Sequence, residues 1–113
     1  MPRFLLLTDA HIRQQLVDGL QQRSWDVDIF PEGTDDDILF EYAAKDKRVF
    51  VTCDQRLQLI AHQWLDEERL FRMVTWKQEH HRRLSEGWFI EKFEELAEAE
   101  DPFPFAIRHL NPD

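Results

Sequence analysis

The chain has a single cysteine, Cys53, which excludes an internal disulfide and fits a reducing compartment. Because Cys53 closes an apolar run, it reads as a buried small hydrophobe rather than a reactive thiol. No apolar stretch approaches the roughly 20 residues that a membrane-spanning helix needs, and the N-terminus lacks the charged-then-apolar layout of a signal peptide. Both absences point to a cytoplasmic protein. Bases are scarce too, with 14 Lys and Arg against 23 Asp and Glu and a formal net charge of −9. That balance argues against wide electrostatic capture of nucleic acid. No internal repeat or low-complexity linker divides the 113 residues, so a single domain over 1–113 is expected.

Hydrophobic residues make up 42% of the chain and include nine Phe and four Trp, enough for a packed core. The charge is unevenly spread. Residues 9–46 hold ten acids against three bases, whereas residues 55–90 hold five acids against six bases plus three histidines. One acidic pole and one near-neutral segment can therefore share a small domain, and the acidic pole suits a basic protein partner or simple solubility.

Two short apolar runs, Phe4-Leu5-Leu6-Leu7-Thr8 and Val49-Phe50-Val51-Thr52-Cys53, each end directly before an aspartate, Asp9 and Asp54. Such runs read as buried strands, so both carboxylates should emerge at carboxyl ends of strands, the edge where open α/β sheets bind ligands. Two carboxylates at one edge repel unless a positive charge lies between them, and a hard divalent cation is the usual answer.

Helical spacing of Ile12, Leu16 and Leu20 predicts a helix over 10–23, and the alternation through 25–30 predicts a half-buried strand. After Pro31-Glu32-Gly33, Thr34 or Asp35 can cap a second helix, with Asp36 and Asp37 in its first turn. Leu57, Ile60, Ala61, Trp64 and Leu65 mark a third helix after Asp54. A strand over 71–76, a helix over roughly 85–99 and a last short strand over 103–110 complete the chain. The alternation implies an α/β fold with a mainly parallel sheet, helices on both faces and right-handed crossovers.

The combination of Phe4 to Asp9, then Thr34-Asp35-Asp36-Asp37-Ile38-Leu39 with Tyr42-Ala43-Ala44, then Arg48 to Asp54, resembles the small PIN-like proteins related to toxin nucleases. The resemblance covers roughly residues 3–57. It implies a single-domain, three-layer PIN-like fold and a Mg²⁺- or Mn²⁺-dependent endoribonuclease acting on single-stranded RNA, often a toxin held by an antitoxin. Carried over by position, Asp9 and Asp54 would be metal ligands and catalytic groups, with Asp35 completing the cluster. Two acids of the pattern are missing, since Ala10 and Arg56 stand where relatives carry carboxylates. A PIN-like binding or regulatory module that has lost catalysis is therefore the competing expectation. His11 could replace a ligand and shift preference towards Mn²⁺ or Zn²⁺. Arg56 could contact phosphate, or pair with Asp54 in place of an ion.

The one basic cluster, Lys77-Gln78-Glu79-His80-His81-Arg82-Arg83, follows Trp76. Lys77, Arg82 and Arg83 could hold an RNA backbone with Arg56, using Trp76 as a stacking platform, or the segment could be a solvated loop and helix start. Adjacent histidines on a helix point in different directions, which weakens a zinc reading of Glu79, His80 and His81. A phosphoacceptor receiver is a third expectation, from the positions of Asp9, Asp54 and Thr75, although Asn111 stands where a lysine would be needed. A protein partner, whether an antitoxin or a second copy in a homodimer, completes the expectations.

Overall fold

A computed structural model describes residues 4–33 and 35–112. Five strands, β1 (Leu5–Thr8), β2 (Asp26–Ile29), β3 (Val49–Thr52), β4 (Met73–Thr75) and β5 (Ile107–His109), form one all-parallel sheet in the order β2-β1-β3-β4-β5. Between them run α1 (Gln14–Gln22), α2 (Asp36–Lys45), α3 (Gln55–Asp66), and the pair α4 (Gln78–Arg83) and α5 (Glu86–Glu98). The expected α/β class with helices on both faces is thus observed. Among the described residues no helix is long and apolar enough to cross a membrane.

The apolar runs are continuous because the central strands are buried on both faces, and alternate residues feed opposite cores. Leu6, Val49, Val51 and Val74 face α1 and α5, where they meet Leu16, Val17, Leu20, Phe89 and Phe93. Leu7, Phe50 and Met73 face α2 and α3, where they meet Leu39, Phe40, Ala43, Ala61 and Trp64. Aromatic edges lock each layer, as in Phe40 against Phe50 at 5.0 Å and Trp25 against Phe93 at 5.7 Å. Gly19 lets α1 approach α5 closely, since a Cβ there would lie 2.6 Å from Ile90 Cδ1.

The crossovers through α1, α2 and α3 share one hand. The last has the opposite hand, because β5 lies beyond β4 in the direction already taken from β3 to β4 while α5 lies on the face away from α3. This corrects the expectation of uniformly right-handed connections. The hand preference belongs to compact strand-helix-strand units, and here some 30 residues and two helices intervene. Phe89 and Phe93 of α5 complete the core that Trp25 and Trp76 begin, so burial places α5 beside α1. The chain leaving β4 must then cross the carboxyl edge of the sheet.

Other boundaries differ for local reasons. The first helix begins at Gln14 rather than at residue 10, because Ile12 N donates to Asp9 O and His11 N to the Asp9 side chain, forming a turn. The last strand shrinks to three residues, since Pro102 and Pro104 have no N–H to give a neighbouring strand.

At the opposite edge of the sheet, Arg48 collects acids from β2 and the end of α2. Its Nη1 donates to Leu6 O and Asp26 Oδ1, both at 3.0 Å, and its Nε donates to Asp46 Oδ2 at 2.6 Å. The carboxylates are half exposed, which limits their contribution. Arg48→Met is expected to cost about 1–3 kcal/mol, read as a lower urea midpoint with an unchanged m-value.

Candidate functional site

In this strand order the winding direction reverses between β1 and β3, and the crevice beyond their carboxyl ends is where such sheets bind ligands. Asp9 follows β1 directly and Asp54 lies two residues past β3. Thr52 joins them: its hydroxyl donates to Asp9 Oδ2 at 2.5 Å and accepts from Asp54 N at 3.1 Å. The other oxygen of Asp9 accepts from His11 N at 3.1 Å. Asp9 is only 5% exposed. Burial raises its pKa, opposed by the bonds from Thr52 and His11 and reinforced by repulsion from Asp54.

Asp54 is held differently. As the N-cap of α3 it accepts Arg56 N at 2.9 Å, and the Arg56 guanidinium grips both of its oxygens, with Nη2 to Oδ2 at 2.8 Å and Nε to Oδ1 at 3.3 Å. These bonds from Arg56 lower its pKa, with burial opposing them. Burial, together with the two nearby carboxylates, pushes the Cys53 thiol up to about 11. The thiol is therefore protonated and unreactive at neutral pH.

A cleft of about 220 Å³ opens here, with Asp9, His11, Glu32, Asp36, Asp54 and Arg56 in its walls. Asp35 is not among its lining residues. Its Oδ1 instead accepts Asp37 N at 3.0 Å, capping α2. Thr34, the alternative cap, lies outside the described residues. The structure thus turns Asp36 into the cleft, one position after the aspartate singled out by pattern.

A second pocket of about 280 Å³ adjoins it, lined by Cys53, Gln78, His81 and Arg82 and by three residues common to both, His11, Asp54 and Arg56. Its far wall is α4, carried there by the reversed crossover. Lys77 and Arg83 are exposed but outside the lining. Trp76 is 1% exposed, which removes it as a stacking platform, and its Nε1 donates to His81 Nδ1 at 3.2 Å. The segment is the solvated helix start of the alternative expectation, with Lys77, Gln78, Glu79, Arg82 and Arg83 exposed, except that its two histidines, His80 and His81, are buried. The other nitrogen of His81 meets Arg13 N at 3.2 Å. A neutral imidazole can accept only one of these two donors and an imidazolium neither. Burial first, and then Arg13, accordingly lowers the His81 pKa.

The side chains as arranged do not form a ready ion site. Among the described residues no group of three or more His, Cys, Asp or Glu side chains is placed to hold a metal ion. The oxygens of Asp9 and Asp54 already accept protein hydrogen bonds, and Arg56 supplies the positive charge that two neighbouring carboxylates demand. Sequence reasoning missed Asp36, Gln78 and His81 as wall residues; only helical phase and the path of the last crossover place them.

Fold and crevice together define an α/β protein with a five-stranded parallel sheet and a ligand-type crevice at its switch point. Comparison of the chain with family models, curated proteins and solved structures gives no match.

Proposed function

We propose that the chain is a PIN-like domain that engages single-stranded RNA at the β1/β3 crevice and in which Arg56 has taken the place of the catalytic ion. The observation that carries this reading is the two-pronged grip of Arg56 on Asp54, beside an Asp9 whose oxygens are both engaged. A guanidinium satisfies a carboxylate without generating a hydroxide, so the crevice keeps its shape and charge balance while losing the means to activate water. In this reading the protein is a binding or regulatory module, and the exposed acids of residues 9–46 outside the crevice are the surface offered to a basic protein partner.

A second reading, a Mg²⁺- or Mn²⁺-dependent endoribonuclease of the toxin type, is favoured by one observation: Asp9, Asp36 and Asp54 share one cleft. It requires Arg56 to withdraw. The same strand order also serves phosphoacceptor receivers, but here the Asp54 oxygens are paired with Arg56, which would have to turn away before a phosphodonor could reach them, and Asn111 stands where a lysine would be needed.

The deciding experiment measures Tm and RNA cleavage with Mn²⁺, Mg²⁺ or chelator, for the native chain and for an Asp9→Asn, Asp54→Asn double variant. The module reading expects a Tm unaffected by millimolar Mn²⁺ and no metal-dependent cleavage. An ion that bound the native state at 100 times its Kd would add about 2.7 kcal/mol. Such a rise, together with cleavage lost in the double variant, would establish the nuclease instead.

A further inference from the structure

We propose that the pocket between α4 and the carboxyl end of β3 is a phosphate-binding site in which Arg56 and Arg82 grip the anion and Asp54 is a built-in competitor for Arg56. The inference deepens the RNA reading by naming the group recognised. The pocket, about 280 Å³, brings two guanidinium groups together with Gln78 and His11. Arg82 is exposed and forms no ion pair among the described residues. Among the described residues Arg56 forms its ion pair with Asp54, through a side chain 78% exposed, so it can turn towards an incoming anion. With Asp54 and Arg56 neutralising each other, Arg82 leaves the pocket one positive charge in excess.

The other lining groups neither compete for an anion nor repel it with a full charge. The Cys53 thiol is protonated, and both nitrogens of His81 face donors from Arg13 and Trp76, so its ring contributes shape without charge. Arginine forks match phosphate oxygens two at a time. His11, Asp54 and Arg56 line both this pocket and the cleft at Asp9, whose wall also carries Glu32 and Asp36, so a nucleotide whose phosphate sits here can turn its sugar and base, rather than a second phosphate, towards the crevice. That continuity favours a polynucleotide phosphate over free phosphate. The net charge of −9 confines recognition to this local site and predicts a shallow salt dependence.

The test is a titration in chelator, followed by NMR of the arginine Nε–H groups, with inorganic phosphate in one arm and a short single-stranded oligouridylate in the other. Saturable shifts of the Arg56 and Arg82 signals are expected in both arms, with the oligonucleotide binding about tenfold or more tightly than phosphate. Arg82→Gln and Arg56→Gln should each weaken binding by about tenfold or more, whereas Asp54→Asn, which can still cap α3, should strengthen it severalfold. Backbone spectra of each variant verify folding. An Arg82→Gln protein that binds like the native one, or an Asp54→Asn protein that binds no tighter, overturns the site. Phosphate binding with the expected variant pattern but no gain for the oligonucleotide overturns the polynucleotide source and the RNA reading, and leaves the anion pocket standing.

Discussion

Trp76→Ala is expected to cost about 3–5 kcal/mol of folding stability, the range for truncating a large buried aromatic, and to lower Tm by roughly 10–20 °C. Trp76 directly follows β4 and is almost fully buried. Its ring lies 4.6 Å from Phe89 and 5.7 Å from His81, so it ties the sheet to α5 and to α4 at once. Alanine would leave a cavity between layers that cannot close, because β4 is fixed by pairing with both β3 and β5. Trp76→Phe keeps most of the packing, loses only the indole donor to His81 and should cost far less. A pH arm separates the two causes. The folded pKa of His81 lies below its ordinary 6.5, so the unfolded chain takes up the proton first and stability falls on acidification from about pH 6.5 towards the folded value. Trp76→Ala, by opening the site to water, should raise the His81 pKa and flatten that slope. Denaturation curves between pH 5 and pH 8, with the histidine titration followed by NMR, read both effects.

What could be read from the chain follows from which forces are local. Strands β1 and β3 are legible because a strand buried on both faces must be apolar at every position, and the aspartates behind them are fixed at the sheet edge by chain continuity alone. The burial of Cys53 follows from the same run. The pattern singles out Asp35 where the cleft takes Asp36, because either residue suits a helix start and the choice turns on the phase of α2. The burial of His80 and His81 was illegible for a different reason. The segment is polar and charged, and α4 is placed by the reversed crossover, which depends on Phe89 and Phe93 finding the core on the α1 face. The pairing of Arg56 with Asp54 was one of two alternatives that a two-residue separation leaves open.

Thr52→Val should be the most damaging near-isosteric change at the crevice, costing about 2–3 kcal/mol at neutral pH. The Thr52 hydroxyl is the donor to Asp9 Oδ2 and the acceptor for Asp54 N. Valine fills the same space with neither function, leaving a buried carboxylate with His11 N as its remaining hydrogen-bond donor. The sign of the pH dependence follows from Asp9. Its folded pKa is already above the ordinary 3.8, chiefly through burial, so the folded protein holds that proton more tightly and ionised Asp9 costs stability as pH rises through the folded pKa. Losing the Thr52 bond raises that pKa further. The difference between Thr52→Val and the native chain should therefore be smallest at acid pH, where Asp9 is protonated in both and the lost acceptor for Asp54 N remains as a pH-independent part, and should grow as pH rises through the folded pKa of Asp9. Asp9→Asn removes the buried charge and is expected to stabilise the native chain by about 1 kcal/mol, as relieved functional sites commonly do. In the Asp9→Asn background Thr52→Val should lose most of its cost, and a double-mutant cycle from urea denaturation measures that coupling. A pH-independent cost for Thr52→Val, undiminished by Asp9→Asn, would mean that Thr52 acts through packing or through Asp54 N alone, and that Asp9 is not the charge around which the crevice is built.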